Sequence, residues 1–220
     1  MKTAREIIET YDGPHVRIME VCGTHTHEIF RLGIRKLLPE QVELISGPGC
    51  PVCVTPVSFI DEAIYLALEK GVTVCTFGDL VRVPGTKMSL AGAREQGAKI
   101  RIVYSPADAE KYAMEHPEEQ VVFLSVGFET TTPAEWLSVK QAKKDGLSNY
   151  SLLMANKTMP QAYEALKGSA DIFLYPGHVN AITGTELCEK LTEEGVSGVV
   201  AGFTAKELLT ALAVALVKFQ

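Results

Sequence analysis

The chain has 220 residues, of which 46% are hydrophobic and 22% are charged, and this composition is typical of a globular protein. Its net charge is −6 at pH 7 and it has no run of basic residues, which excludes the usual basis for binding nucleic acid. The N-terminal residues lack the apolar core of a signal peptide, and the longest apolar run, about Leu208 to Val217, is too short for a bilayer, so we expect a cytoplasmic protein with no membrane partner.

Short apolar runs rich in β-branched residues alternate with helical patterns along the whole chain. The runs predict eight strands, at Val16–Val21, Val42–Ile45, Val72–Phe77, Lys99–Tyr104, Gln120–Val126, Tyr150–Ala155, Asp171–Tyr175 and Gly198–Gly202. The intervals predict eight helices, at Glu28–Leu38, Ser58–Lys70, Leu90–Gln96, Ala107–Glu115, Ala134–Lys144, Pro160–Leu166, Thr185–Glu194 and Ala205–Val217. This alternation indicates an α/β fold with parallel sheets and right-handed crossovers.

Eight strands in a chain of this length allow either one wide sheet or two lobes of four strands each. A polar and charged segment at 108–119 favours two Rossmann-like lobes, residues 1–108 and 109–220, with their parallel sheets facing a central cleft. Both halves have the same number of strands and helices, which agrees with this division.

Most of the polar and reactive residues follow predicted strands. The motifs, in chain order, are CGTHTH (22–27), GPGCPVC (47–53), FGDLVRVPG (77–85), YSP (104–106), GFETTTP (127–133), NKTMP (156–160) and PGHVN (176–180). Ligands of open parallel sheets bind beyond the carboxyl ends of the strands, so these loops would meet in the cleft.

Some of these residues also have a purely structural explanation. Asp79 and Arg82 could either serve the cleft or pair across their own loop. In GFETTTP, Thr132 and Pro133 are typical of a helix cap and first helical residue, but capping does not explain Glu129. His178, from the second lobe, could face the first lobe across the cleft or be an ordinary loop histidine at a helix start.

The five cysteines differ in their surroundings. Cys75 lies in an apolar strand pattern and is expected to be a buried small hydrophobe, and Cys188 lies among charges in a helix and is expected to have no role. Cys50 and Cys53 form a Cys-x-x-Cys pair before a helix, in a loop rich in proline and glycine. In a cytosolic protein such a pair favours redox chemistry or metal binding.

Cys22 follows the first strand and is accompanied by two histidines. A thiolate at the start of a helix is stabilised by the helix dipole, and Cys22 is placed for that. His25 and His27 would diverge by about 200° on a helix, so at most one of them points where Cys22 points. His25, three residues from Cys22, is the better candidate.

Six of these motifs together resemble the HypD family of NiFe-hydrogenase maturation proteins. The matching segments are CGTHTHEIFRLGIRKLLP, ELISGPGCPVCVTP, FGDLVRVPG, VYSPADA, VGFETTTP and PGHVNAITGTE, which run in order from about residue 13 to 203. Such a series of long and unusual motifs identifies the chain as a member of that family.

The resemblance implies a cytoplasmic scaffold on which an iron atom receives cyanide and carbon monoxide ligands. The implied partners are a HypC-type chaperone and a HypE-type cyanide-delivery protein, which works with HypF. Cys22 corresponds to the cysteine that holds the iron jointly with the chaperone, His25 is a possible further ligand or proton partner, and Cys50 and Cys53 correspond to the redox-active pair. We expect Glu129 and His178 to take part in the chemistry, and Asp79 and Arg82 to contact the bound group.

One feature departs from the family pattern. Family members continue into a cysteine-rich region that binds a 4Fe–4S cluster, whereas this chain stops at Gln220 and has no cysteines at cluster spacing. The sequence therefore describes either a truncated form or a shortened paralogue.

Two other functions remain open at this point. Cys22, Cys50, Cys53 and His25 could form a Cys₃His zinc site of structural or regulatory function, or the Cys-x-x-Cys pair could make the chain a thiol–disulfide oxidoreductase. In the favoured interpretation the protein is an assembly scaffold rather than a conventional turnover enzyme. We expect Leu80, Val81 and Val83, near the third strand, to offer apolar contacts to a partner.

Overall fold

The computed structural model describes residues 2–220, which form eight strands and ten α-helices. The strands are β1 (Val16–Cys22), β2 (Val42–Gly49), β3 (Thr73–Thr76), β4 (Ile100–Ile102), β5 (Val121–Ser125), β6 (Tyr150–Met154), β7 (Ile172–Pro176) and β8 (Ser197–Ala201). The helices are α1 (Ala4–Glu9), α2 (Gly23–Arg31), α3 (Val57–Glu69), α4 (Leu90–Glu95), α5 (Pro106–Glu115), α6 (Thr132–Lys144), α7 (Met159–Ala165), α8 (Gly177–Thr183), α9 (Glu186–Glu193) and α10 (Ala205–Phe219). Two short 3₁₀ helices lie at Ile34–Leu37 and Leu80–Arg82.

The strands form two parallel sheets of four strands each. The first sheet has the order β2-β1-β7-β8 and the second has the order β4-β3-β5-β6, with parallel pairing throughout. The predicted α/β class with two Rossmann-like lobes is confirmed, and all eight predicted strands are present within a few residues.

The chain divides between the two compact units differently from the prediction. Residues 1–50 and 158–220 form one unit and residues 51–157 form the other, so the predicted boundary near 108 falls inside α5. The division differs because β7 pairs with β1 and not with the strand that precedes it. The predicted cleft between the lobes stays a prediction.

The first unit has its core where helices cover the apolar faces of β1 and β7. Leu208, Leu212 and Leu216 of α10 are completely buried in this core, which explains why the last helix is apolar on most of its surface. Helix α1 was not predicted, although its start has the sequence sign of a capping box: Thr3 Oγ1 accepts from Glu6 N–H, and the Glu6 carboxylate accepts from Thr3 N–H.

The second unit has its core around β3 and β5, which are buried along their whole length. Fully buried aliphatic side chains such as Val74 and Leu124 pack against α3 and α4 on one face. On the other face Cys75 and Phe123 pack against α5. A strand covered on both faces is expected to be mainly apolar; β5 (VVFLS) is, whereas β3 (TVCT) has a buried threonine at each end.

Helix α2 begins five residues before the predicted start at Glu28. It starts at Gly23, so the CGTHTH motif is a strand end followed by the first turn of a helix and not a loop. Residues predicted to continue the helix to Leu38 form the separate 3₁₀ turn at Ile34–Leu37, because Gly33 adopts a left-handed conformation with φ of 66°.

Within residues 2–220, every helix is too short or too polar to cross a lipid bilayer.

Candidate functional site

The residues of interest in the first unit follow the carboxyl ends of its four neighbouring strands. Chain connections run from β1 to β2 on one side and from β7 to β8 on the other, so the topological switch point lies between β1 and β7. Such a switch point is where open parallel sheets bind ligands. Cys22 is the last residue of β1, Cys50 follows β2, and His178 follows β7.

Cys22 and Cys50 are neighbours because the ends of β1 and β2 approach unusually closely. Gly49 pairs with Cys22 in the register of the two strands, after an irregularity at Glu20. A Cβ atom built on Gly49 would lie only 1.8 Å from the carbonyl oxygen of Val21, so no other residue fits without a backbone shift. The Cys50 Cβ lies 3.5 Å from the position that a Cβ on Gly23 would occupy.

Cys22 lies at the start of helix α2 and is the residue that caps it. Its backbone is extended, and its side chain makes no capping hydrogen bond to the helix. The thiol is 6% exposed, whereas Cys50 is half-buried. The positive end of the helix dipole lies at this position, as the sequence predicted for Cys22.

His25 is completely buried in the first turn of α2, and backbone carbonyl groups fix its orientation. Its Nε2 lies 3.0 Å from the carbonyl oxygen of Gly202 and 3.3 Å from that of Ala201. Carbonyl oxygens only accept hydrogen bonds, so Nε2 carries the proton and Nδ1 has a lone pair. Nδ1 is buried and has no hydrogen-bond partner among the described residues.

Burial lowers the pKa of His25 from its ordinary value, and the nearby His178 lowers it further, against the opposing effect of the carbonyl hydrogen bonds. The imidazole is therefore neutral near pH 7, which is the form that donates a lone pair to a metal. His27 points elsewhere: it is exposed and lies 4.0 Å from Glu28, as the spacing predicted.

A phenyl ring lies between His25 and the second histidine of this sheet edge. The Phe203 centroid is 4.6 Å from that of His25 and 4.9 Å from that of His178, with the second pair edge to face. Burial lowers the pKa of His178, and its Nδ1 has no partner among the described residues either. Phe203 was not predicted as part of the site, because a single phenylalanine after a strand has no distinguishing spacing.

His178 does not belong to the opposite lobe as predicted. It belongs to the same unit as Cys22 and His25, because β7 is the direct neighbour of β1. Among residues 2–220, no three of Cys22, His25, Cys50 and His178 bring ligand atoms within 4.8 Å of one another. The edge of this sheet therefore offers separate donors and not a preformed cage for a metal.

The remaining predicted residues lie in the second unit, and the structure assigns them local surroundings. Asp79 and Arg82 are exposed; Asp79 accepts a hydrogen bond from Leu80 N–H, and no ion pair joins it to Arg82 in the described chain. Glu129 is half-buried after β5, and Cys53 is exposed in a turn. Helix α6 is capped by Thr131 and not by Thr132.

The expected apolar contact surface near β3 is wrong for two of its three residues. Leu80 and Val81 are buried, at 1% and 8% exposure, and Leu80 packs in the core of the second unit. A partner cannot reach them without opening that core.

A buried polar network after β5 and β6 was missed by the sequence analysis. Asn156 Nδ2 donates to Glu135 Oε2 at 2.6 Å and to Thr132 Oγ1 at 3.2 Å, while its Oδ1 accepts from Ser125 Oγ at 2.6 Å. Glu135 is 2% exposed, and its Oε1 has no partner among the described residues. Asn156 therefore provides the one hydrogen bond to this buried carboxyl group in the described structure.

Replacing Asn156 with alanine is expected to lower the free energy of unfolding by about 2–3 kcal/mol, because Glu135 would stay buried without its donor. The midpoint of urea unfolding measures the effect. Gln141→Ala, which removes an exposed hydrogen bond to Asp145, is the matched control and should change stability by less than about 0.5 kcal/mol. An equal shift for both variants would contradict the assigned role of Asn156.

The cysteines do not fit a 4Fe–4S site. The first unit contains Cys22, Cys50 and Cys188, and the second contains Cys53 and Cys75, so neither unit alone supplies four cysteines. Cys75 is completely buried, and burial raises the pKa of its thiol to about 11. Burial also raises the pKa of Cys188, whose Sγ accepts a hydrogen bond from Asn180.

Another group of possible metal ligands lies before β5, at the amino end of that strand in the second sheet. His116, Glu118 and Glu119 bring ligand atoms within 4.8 Å of one another. Glu119, however, already accepts hydrogen bonds from Thr73, Lys99 and Tyr112, which hold the pKa of its carboxyl group at about 2. Its oxygens are thus occupied by the protein itself.

Comparison with known proteins gives the same family as the motifs. The family model HypD, described as the hydrogenase formation hypA family, matches residues 1–220. Hydrogenase maturation factor HypD of Rhodobacter capsulatus is 46% identical over 94% of this chain and 56% of its own length. The proteins of the same name from Cupriavidus necator and Escherichia coli are 44% and 45% identical, over 93% and 88% of this chain and 57% and 53% of theirs.

The chain thus spans just over half the length of these curated relatives. Among solved structures, an open, ligand-free substrate binding protein of Clostridium difficile aligns with 92% of this chain and 83% of its own. Its TM-score is 0.19 and its identity is 11%, values that support no conclusion about the fold. The family model, which matches the whole chain, and the curated relatives show the family: the chain belongs to the HypD family of hydrogenase formation proteins.

Proposed function

We propose that this chain is a scaffold for NiFe-hydrogenase maturation, which holds an iron atom while its cyanide and carbon monoxide ligands are installed. The iron is cargo that is later passed on, and not a resident cofactor. The observation that carries the proposal is the cluster of donors at the switch point of the first sheet, with Cys22 capping α2, Cys50 beside it and His25 buried in the neutral form.

Cys22 holds the iron. Thiolate sulfur is a soft donor and suits an electron-rich iron that carries cyanide and carbon monoxide. His25 is a further ligand or proton partner through Nδ1, because Nε2 is engaged with the carbonyl group of Gly202. That hydrogen bond also fixes the ring orientation, as is usual for metal-binding histidines.

The remaining iron ligands come from outside the chain. Because the described residues offer no preformed group of three ligands at this edge, an iron held here needs donors from another molecule. A HypC-type chaperone supplies a second thiolate, and a HypE-type protein delivers cyanide. The partner approaches the sheet edge itself and not Leu80 and Val81, which are buried.

Cys50 and Cys53 act as a redox pair. Closing the pair to a disulfide releases two electrons and two protons, which matches a reductive step on the cargo. In this proposal His178 and Glu129 exchange protons with the reacting group, and Asp79 and Arg82 contact the bound group. The support for these four roles is their position after strands of the two sheets.

The experiment is anaerobic copurification of this chain with a HypC-type chaperone, followed by infrared spectroscopy and metal analysis. We expect iron with cyanide and carbonyl bands in the complex. One tightly bound zinc per chain with no such bands would contradict the proposal in favour of a zinc site. General disulfide reductase activity that is unchanged by Cys22→Ala, again without bands, would favour an oxidoreductase.

The redox pair makes a separate prediction. After preparation in air, Cys50 and Cys53 should be joined by a disulfide that a dithiol reduces without unfolding, since only two residues separate the thiols. Differential alkylation with mass spectrometry measures this, and Cys188, which is half-buried with a raised pKa, is the internal control that should not form a disulfide. Alkylation of both Cys50 and Cys53 after aerobic preparation would count against the redox role.

A further inference from the structure

Helix α6 of the second unit exposes two large apolar side chains to solvent. Trp136 is 64% exposed and Leu137 is 61% exposed. Trp136 is the single tryptophan of the chain, and neither residue contributes to a core cluster. Tryptophan is enriched at protein interfaces because one contact buries a large area.

Three lysines share this face of α6. At about 100° per residue, Lys140, Lys143 and Lys144 lie on the same side as Trp136 and Leu137, while the buried residues of the helix lie on the other side. A shallow groove of about 640 Å³ runs here, lined by Leu137, Lys140, Gln141, Lys143 and Lys144. We call this face the α6 patch.

The lysines of the α6 patch have no anionic partners in the described chain. Lys99 and Lys167 form ion pairs with Glu119 and Glu194, whereas Lys140, Lys143 and Lys144 form none among residues 2–220, and several exposed lysines elsewhere in that range, such as Lys36 and Lys87, also form none. Lysines in the last turn of a helix also complement its dipole. That effect accounts for Lys143 and Lys144, but not for Lys140 or for the exposed Trp136 and Leu137.

We propose that the α6 patch docks an acidic helical segment of a partner protein, with an apolar side chain of that segment packed on Trp136 and Leu137. Carboxylates of the segment pair with the three lysines. From Trp136 to Lys144 the patch is about 12 Å long at 1.5 Å per residue, a length that matches two to three turns of a helix. The docked segment is thus an amphipathic helix, recognised through its apolar side chains and through charge complementarity with the lysines.

The size and charge of the patch favour a short peptide segment over a larger anionic surface. The whole chain has a net charge of −6, so it repels an anionic membrane or a nucleic acid that approaches over a wide area. A short segment is attracted mainly by the three lysines that line the groove, and added salt screens this attraction.

The probe is a fluorescein-labelled amphipathic peptide of about 16 residues, with leucine on one helical face and glutamate on the others. Fluorescence anisotropy should show saturable binding that weakens with added salt. In unlabelled experiments the emission of Trp136 should shift to shorter wavelength, because the peptide would remove it from water. A peptide with lysine in place of glutamate should not bind.

The triple variant K140E/K143E/K144E should weaken peptide binding by about tenfold or more. The matched control is K36E/K87E/K206E, which reverses three exposed lysines elsewhere, gives the same net charge and should retain at least half of the affinity. Trp136→Ala should weaken binding severalfold with the lysines intact. Circular dichroism checks that each variant is folded.

Each remaining outcome overturns the proposal. Equal losses of peptide affinity in the two triple variants would indicate non-specific electrostatic attraction. Absence of peptide binding to the wild-type chain would show that the α6 patch is not a docking site for such a segment. Binding to vesicles of phosphatidylserine and phosphatidylcholine, or to a single-stranded DNA oligonucleotide, but not to the peptide would assign the patch to a membrane or to nucleic acid. These results are independent of iron retention at Cys22.

Discussion

Replacing Cys22 with alanine is expected to abolish iron retention and the cyanide and carbonyl infrared bands, while the chain stays folded. The fold should persist because the Cys22 side chain makes no capping hydrogen bond to α2, so removing Sγ breaks no contact that starts the helix. The iron would lose its one thiolate ligand from this sheet edge.

The controls are Cys75→Ala and Cys188→Ala, measured in the same complex with the HypC-type chaperone. Both thiols are at least partly buried and have raised pKa values, so neither is a ready metal ligand. These variants should keep the iron and the bands, with a change in stability only. If the Cys22 variant retains its iron and its cyanide bands, the assignment of Cys22 as the iron-holding thiolate is wrong.

The strands were predictable from the sequence because the physical signal is local. β3 and β5 are covered on both faces, and burial of their side chains produces mainly apolar runs, TVCT and VVFLS, whose polar members are threonine and serine. Helix boundaries were less certain. The predicted start of α2 at Glu28 overlooked the helical residues Gly23 to His27, whose polar side chains resemble those of a loop.

Strand pairing was not predictable in the same way. β7 pairs with β1, which is distant in the sequence, and not with the preceding strand β6. The sequence of β7 has no local pattern that specifies this partner. This pairing moved the unit boundary, and it moved His178 from an assumed opposite lobe to the edge that also carries Cys22. Most of the candidate residues do lie at or after the ends of strands, but which of them lie in the same unit depends on the topology, and their roles stay predictions.

The contacts around the site were the least predictable part. His25 was singled out by its spacing from Cys22, yet its hydrogen bond to the Gly202 carbonyl group crosses 177 residues. Asn156 and Glu135 meet through tertiary packing, and neither has a sequence motif that requires the other. Side chains that orient a ligand are set by packing, which a one-dimensional pattern does not contain.

Replacing Gly49 with alanine is expected to destabilise the first unit by about 3 kcal/mol or more, the largest effect on stability that we predict. The new Cβ atom would lie 1.8 Å from the Val21 carbonyl oxygen and 2.5 Å from the Cys22 Cα. Both are backbone atoms of β1, so no side-chain rotation relieves the clash, and the ends of β1 and β2 must separate.

The matched control is Gly23→Ala, one residue after Cys22. Its nearest neighbour would be the Cys50 Cβ at 3.5 Å, an ordinary van der Waals distance, so we expect a change below about 1 kcal/mol. The midpoint of urea unfolding measures both variants, and iron retention with the chaperone measures the site. Because Gly49 pairs directly with Cys22, separating the strands displaces the thiolate as well, and any Gly49→Ala protein that still folds should retain less iron than Gly23→Ala. If Gly49→Ala unfolds at the wild-type midpoint, the close approach of β1 and β2 does not hold Cys22 in place, and the proximity of Cys22 and Cys50 needs another explanation.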